Sequence, residues 1–203
     1  MSEAGQESPL QRFFATAAEV CPTDEAGVTL GERAFLGHLN IRGNPSDQQF
    51  LDAVEGATGV GLPLEPNTTV ENGDLAALWL GPDEWLVLTA PDSAASTSEA
   101  LRDALAGRFA AVTDVSGGQT VISLRGRHAR DVLAKGCTLD LHPRAFGVGQ
   151  CAQSHLAKAL VTIRQVGDEP SFEVIVRRSF GEYLALWLRD AGLEYGLVVN
   201  ASG

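Results

Sequence analysis

Two acids interrupt the most apolar part of the chain. In "ALWLGPDEWLVLTA", Ala77 to Ala90, Asp83 and Glu84 stand between two short hydrophobic runs, each carrying a tryptophan. Paired carboxylates can divide the work of general acid and general base. They equally suit the wet end of a turn, because Gly81-Pro82-Asp83-Glu84 puts proline at the second position of a tight reversal. A second acidic turn, Asp168-Glu169 in "GDEP", recurs later between two more apolar runs. Turn polarity serves backbone solvation first, and that reading covers both pairs.

Cys137, His142, Cys151 and His155 are zinc ligands by type, but their spacing matches no structural-zinc pattern, so unliganded side chains are expected. With Cys21 the cysteines number three, widely spaced and without C-x-x-C, which argues for reduced thiols rather than a disulfide framework. Gly59-Val60-Gly61 and Gly147-Val148-Gly149 lack the third glycine and following helix of a dinucleotide site. Neither a phosphate loop nor a G-x-S-x-G elbow occurs. None of the four histidines has an evident carboxylate partner in sequence, so no catalytic triad can be assembled. Trp79, Trp85 and Trp187 read as core residues. The expectation is no catalytic, cofactor-binding or metal-binding residue in this chain.

These groups must be positioned by elements that alternate regularly. "RAFLGHLNIR", Arg33 to Arg42, reads as a strand with Phe35, Leu39 and Ile41 on one side and His38 and Asn40 on the other. Ser46 with Gln49 forms a capping-box pattern ahead of a helix with Phe50, Leu51 and Val54 on its stripe. Two strands follow around Pro82, then a helix opened by Ser96 with Glu99, with Ala100, Leu101, Ala104 and Leu105 as its face and Gly107 as its stop. The second half repeats the plan. Strands pair around Gly117-Gly118, and a helix over Arg127 to Lys135 buries Ala129, Val132 and Leu133. Strands Leu156 to Val166 and Phe172 to Arg177 precede a helix opened by Ser179 with Glu182, its face Tyr183, Leu184, Trp187 and Leu188. The fold expected is α+β, two pseudo-symmetric β-α-β-β-α halves at 31–108 and 109–195, with an N-terminal arm at 1–30 and a tail at 196–203.

The stretch "KGCTLDLHPRAFGVGQCAQ", Lys135 to Gln153, has no period and joins a helix to a strand. Long ordered connections are often functional or covered by another surface, and Asp140, His142, Arg144 and Phe146 are its candidate interface residues. The bulk numbers exclude other roles. A net charge of 15 − 26 = −11 over 203 residues repels phosphate backbones and anionic lipid, disfavouring nucleic-acid or membrane partners. No apolar run approaches bilayer length and no basic-then-apolar leader opens the chain, so a cytoplasmic location is expected.

Three ordered blocks, "LWLGPDEWLVL", "TDVSGGQTVISLRGRHARDVLAKGCTLDLHPRAF" and "QCAQSHLAKALVTI" with "FEVIVRRSFGEYLALWL", resemble the gamma subunit of bacterial heterotetrameric sarcosine oxidase. Thr138 stands where proline is common in that family. The resemblance implies two ferredoxin-like halves, as in the folate-binding domain of the glycine-cleavage T-protein, and a non-catalytic chain beside alpha, beta and delta subunits. The enzyme so implied oxidises N-methylglycine to glycine with hydrogen peroxide and formaldehyde or 5,10-methylenetetrahydrofolate. FAD, FMN, NAD, tetrahydrofolate and zinc would then reside in the other chains. The T-protein family also uses an aspartate in folate chemistry; only Asp114 or Asp140 could correspond, and neither has the local sequence for it. A folate-binding one-carbon carrier, or an aminomethyltransferase-like protein acting alone, is the alternative.

Overall fold

The computed structural model describes residues 6–16 and 26–200. Cys21 lies outside them, as do parts of the expected arm and tail. The chain begins with α1 (Gln11–Thr16) and β1 (Val28–Arg33). Its middle runs β2 (Gly37–Arg42), α2 (Gln48–Thr58), β3 (Thr69–Asn72), β4 (Leu75–Gly81), β5 (Glu84–Thr89), α3 (Ala94–Ala104) and β6 (Ala111–Asp114). The remainder is β7 (Gln119–Arg125), α4 (Ala129–Ala134), β8 (Cys151–Leu156), β9 (Ala159–Gly167), β10 (Ser171–Arg177), α5 (Gly181–Gly192) and β11 (Leu197–Asn200).

Two compact units result. The central unit holds Leu36–Gln119 with Gly149–Gln153, and the terminal unit holds the described residues up to Phe35, Thr120–Val148 and the described residues from Ser154. In the central unit the sheet order is β3-β4-β5-β2-β6, every pair antiparallel. Setting aside the edge strand β3, this is the order of a β-α-β-β-α-β ferredoxin-like half. The six-stranded sheet runs β11-β1-β7-β10-β9-β8. Here β7, α4, β9, β10, α5 and β11 repeat the plan, with β1 wedged between β7, to which it is antiparallel, and β11, to which it is parallel. The class is α+β with two ferredoxin-like halves.

Period and register explain the central core. Leu39 and Ile41 of β2 stand opposite Val87 and Trp85 of β5, and alternation sends all four to one face. They pack there with Phe50 and Val54 of α2, Leu101 of α3 and Leu105 just past its end. Trp85 is fully buried, its ring 5.8 Å from that of Phe50. Its indole N–H donates to the Pro63 carbonyl at 2.8 Å, so burial strands no polar group. Helix α2 ends where Gly59, at φ 72, turns left-handed and donates its N–H to the Glu55 carbonyl at 2.7 Å. In the terminal unit Ala129, Val132 and Leu133 of α4 are buried as their spacing required.

Several local expectations differ. None of the three capping boxes forms. Asp47, not Ser46, caps α2, its carboxylate accepting from the N–H groups of Gln49 and Phe50. Ser96 lies inside α3, which starts at Ala94, and a 3-10 turn over Arg178–Phe180 carries the chain into α5 past Ser179. "RAFLGHLNIR" is not one strand, since β1 ends at Arg33 and Phe35 occupies the turn before β2. The strands flanking Gly117-Gly118 are not a hairpin: β6 pairs with β2, whereas β7 joins the other sheet beside β1. The expected break at residue 109 therefore falls before β6 rather than after it. Val28–Leu30 at the end of the expected arm, and Leu197–Asn200 in the expected tail, lie in paired strands. On α5, Tyr183 faces solvent and Ala185 and Ala191 join Leu184 and Leu188 inside.

One face of the terminal sheet holds a buried ion cluster. Glu173 of β10 is 2% exposed and stands opposite Arg164 of β9, which is 4% exposed. The Arg164 guanidinium meets one Glu173 oxygen at 2.7 and 2.8 Å, and Arg33 of β1 meets the other at 2.5 Å. Removing the carboxylate would leave a guanidinium buried without its counter-charge. Glu173→Ala is expected to lose about 3–5 kcal/mol in urea denaturation, against about 0.5 kcal/mol or less for the exposed Glu99→Ala.

Candidate functional site

The acidic turn that interrupts β4 and β5 is a structural corner. Gly81 pairs with Glu84, leaving Pro82 and Asp83 as the reversal. Glu84 is held on both oxygens, accepting from the Asn40 amide at 2.8 Å and from Arg42 at 2.6 Å. Asp83 stands 3.5 Å from the same arginine. The carboxylates are tied to a guanidinium rather than to each other, an arrangement suited to fixing the turn. Beside it a cleft of about 530 Å³ is lined by Arg42, Asn44, Pro45, Asp83, Arg108 and Phe109. Its second arginine is also engaged, reaching Gln49 at 3.1 Å and Asp47 at 3.8 Å.

The thiols and imidazoles go to separate duties. Cys137 is buried in the terminal unit, 3.8 Å from the Ser154 hydroxyl. Cys151 is buried in the central unit and donates to the carbonyls of Thr68 and Trp79 at 3.4 and 3.5 Å. His155 is exposed, and the exposed His142 accepts the Arg144 N–H on Nδ1 at 3.2 Å. Among the described residues no three His, Cys, Asp or Glu side chains are grouped to hold a metal ion. The residues also fail to fit a dinucleotide: Gly59 closes the C-terminus of α2, where carbonyls rather than N–H groups are free. One His–carboxylate pair does exist. His128 Nδ1 lies 2.8 Å from Asp131, with the imidazole stacked on Tyr195 at 4.6 Å. Its i, i+3 spacing at the start of a predicted helix was the available signal.

The two aspartates that could answer to a folate-assisting carboxylate are spent on their own loops. Asp140 accepts the His142 N–H at 3.0 Å. Asp114 accepts both the hydroxyl and the N–H of Ser116, at 2.5 and 2.9 Å. That hydroxyl, then the N–H, hold the Asp114 carboxyl below the usual carboxylate range against a small burial penalty, with Arg102 and His38 adding to the effect.

The aperiodic stretch after α4 is ordered by one side chain. Arg130 donates to the carbonyls of Leu141 and Phe146, the latter at 3.1 Å, and to the Gln165 side chain at 2.6 Å. Its guanidinium lies over the Phe172 ring, 5.0 Å from the centroid, and burial lowers its affinity for the proton. The loop's apolar members turn inward onto this post. Leu141 is buried, and Phe146 is 6% exposed with its ring 6.5 Å from Phe172. Phe146 is thus a core side chain and differs from the surface anchor expected of it, because the helical turn from His142 to Phe146 rotates it inward. Asp140, His142 and Arg144 remain exposed on the outer side of that turn.

Comparison with known proteins places this architecture. Residues 42–194 match the model of the family described as "Sarcosine oxidase, gamma subunit family". The chain is 39% identical over 186 residues to a sarcosine oxidase gamma subunit from Corynebacterium sp. strain U-96, covering 88% of this chain and 85% of that one. Among solved structures it matches a chain of heterotetrameric sarcosine oxidase from Corynebacterium sp. U-96, a complex with pyrrole 2-carboxylate, with a TM-score of 0.86. Identity there is 35%, over 94% of this chain and 96% of that chain. An aminomethyltransferase T of the glycine cleavage system from Bartonella henselae shares the fold at a TM-score of 0.64 and 17% identity, over 88% of this chain and 48% of that one.

Two outcomes follow from the loop chemistry. Arg130→Met removes three charge-assisted hydrogen bonds while keeping the stem. It is expected to cost about 2–3 kcal/mol and to accelerate amide hydrogen exchange selectively over residues 138–148. Because the folded carboxyl of Asp114 has its proton affinity depressed, it adds stability above the unfolded value and loses it as pH falls through the folded one. Asp114→Asn should therefore melt lower than the parent near neutrality, and the two melting temperatures should draw together as pH falls below the ordinary carboxylate range.

Proposed function

The chain belongs to the sarcosine oxidase gamma subunit family, and from that premise we propose that it is the small non-catalytic chain of a cytoplasmic heterotetrameric oxidase. In this reading it is held against alpha, beta and delta chains. FAD, FMN and NAD sit in the alpha and beta chains, zinc in delta, and tetrahydrofolate in a domain of alpha. The assembly converts N-methylglycine to glycine with hydrogen peroxide and either formaldehyde or 5,10-methylenetetrahydrofolate.

The observation that carries the reading is length-wide similarity to a gamma subunit, without a chemically organised site among the described residues. The candidate carboxylates fasten turns, the thiols are buried apart in their own units, and the conspicuous arginines are engaged by neighbouring groups. No described helix is long and apolar enough to cross a membrane. Among its outward groups, Asp140, His142 and Arg144 are polar side chains on a loop pinned from behind by Arg130. Such a pre-ordered loop loses little freedom on docking, which favours its use as an interface.

Co-expression of the companion chains with and without this one is the direct measurement. Sarcosine-dependent oxygen consumption by an assembled oxidase is expected only when it is present, and equal assembly and activity in its absence would refute the role. In the complete set, His142→Ala with Arg144→Glu should lower recovery of the complex while leaving the melting temperature of the isolated chain within about 2 °C, as for surface changes. Heat released on titrating the isolated chain with tetrahydrofolate would instead favour a folate-binding protein acting alone.

A further inference from the structure

One asparagine of the chain is followed by glycine. Asn40 precedes isoleucine, Asn44 proline, Asn67 threonine and Asn200 alanine, whereas Asn72 precedes Gly73. The difference is chemical. A backbone nitrogen can attack the carboxamide carbon of the asparagine before it, expelling ammonia and closing a five-membered succinimide. A side chain on the attacking residue obstructs that approach, a β-branched one most of all. Proline has no N–H to lose, and glycine brings neither a side chain nor a restricted φ.

The fold puts this pair where the reaction has room. Asn72 ends β3 and stands opposite Leu75 of β4, so Gly73 and Asp74 form the two-residue loop of a hairpin. Gly73 has φ 59, and nothing lies within 4 Å of the place a Cβ would take on it. Asn72, Gly73 and Asp74 are all exposed, so water reaches the carboxamide. Asn40, by contrast, lies within β2 and donates its amide to Glu84. The Asn72 carboxamide also has a structural duty. Its N–H donates to the Gly59 carbonyl at 3.0 Å, fastening the hairpin to the left-handed residue that closes α2.

We propose that Asn72 is a site of spontaneous deamidation, and that the change releases the β3–β4 hairpin from the end of α2. The Gly73 nitrogen bonds to the Asn72 Cγ as the bond from Cγ to the amide nitrogen breaks, and the Gly73 proton leaves with the ammonia. Water then opens the imide at either carbonyl and returns a proton to nitrogen, leaving aspartate or isoaspartate; nothing is oxidised or reduced. Neither product keeps the donor. Aspartate sets a carboxylate against the Gly59 carbonyl, at the negative end of α2 and next in sequence to Glu71. Isoaspartate adds a methylene to the main chain beside a two-residue loop, which disturbs the β3–β4 register.

The full chain is held at mildly alkaline pH and body temperature, folded in one arm and unfolded in urea in the other, and its peptides are weighed over time. The expected result in the folded arm is a gain of about 1 Da at Asn72, divided between two chromatographic peaks. It should be about tenfold or more faster than at any other asparagine. Asn72→Gln, which would need a six-membered ring, should keep its mass. Asn72→Asp should melt about 2–6 °C below the parent, as should the converted fraction of the aged parent, separated by its extra charge. A variant too unstable to fold counts with that lowering. Three results overturn the proposal: no gain at Asn72 in the folded arm while the unfolded arm converts, a faster gain at another asparagine, or melting of both Asn72→Asp and the converted fraction at the parent's temperature.

Discussion

Strand β1 is shared by two neighbours that could have paired directly. In the central unit the first and last strands of the half, β2 and β6, lie side by side. In the terminal unit their counterparts, β7 and β11, are separated by β1, whose Val28–Gly31 pairs with Leu197–Asn200 while Thr29–Arg33 pairs with Val121–Arg125. Without β1 the last strand has no partner on that side and the sheet loses its order. The insertion also demands close passage of backbones. A Cβ on Gly126 would stand 2.5 Å from the Gly27 carbonyl oxygen, and one on Gly27 would stand 2.3 Å from that of Tyr195, so only glycine fits either place.

Because β1 sits inside the sheet, Glu32 is buried and Arg33 half-buried, and both charges must be answered. Glu32 accepts from the Thr120 hydroxyl at 2.5 Å and from Ser8, which ties the start of the chain to the sheet. Arg33, projecting to the opposite face, completes the cluster around Glu173. Both charged residues of the strand are thus matched by groups from distant parts of the sequence. Such matching specifies one register, since a shift of a single residue would bury Glu32 and Arg33 on the wrong faces.

That same feature marks where sequence reading stopped. Helices α2 and α4 were legible because Phe50 with Val54, and Ala129 with Val132 and Leu133, recur at helical spacing. The β4–β5 hairpin was legible because its turn carries its own chemistry in Gly-Pro-Asp-Glu. Strand β1 was not, because "VTLGER" ends in charges whose burial depends on Thr120 and Glu173, far along the chain. The strands around Gly117-Gly118 misled because two glycines suit a hairpin locally, while pairing is decided by which sheet each strand joins. The candidate surface was only half readable. The segment holding Asp140, His142 and Arg144 stood out by its lack of period, but the inward turn of Phe146 depends on Arg130 and Phe172. Spacing could not reveal that convergence.

The split assignment of the chain bears on how it is made. Emerging from the ribosome, Val28–Arg33 waits for one neighbour until Val121–Arg125 has been synthesised and for the other until Leu197–Asn200 has. Residues 36–119, which carry nearly all of the central unit, are released in between. Vectorial synthesis therefore lets the middle of the chain condense early while an apolar strand edge with two unmet partners persists upstream. The nascent form is most exposed to wrong pairing in that interval, and the charges of Glu32 and Arg33 at the end of the strand act as gatekeepers against it.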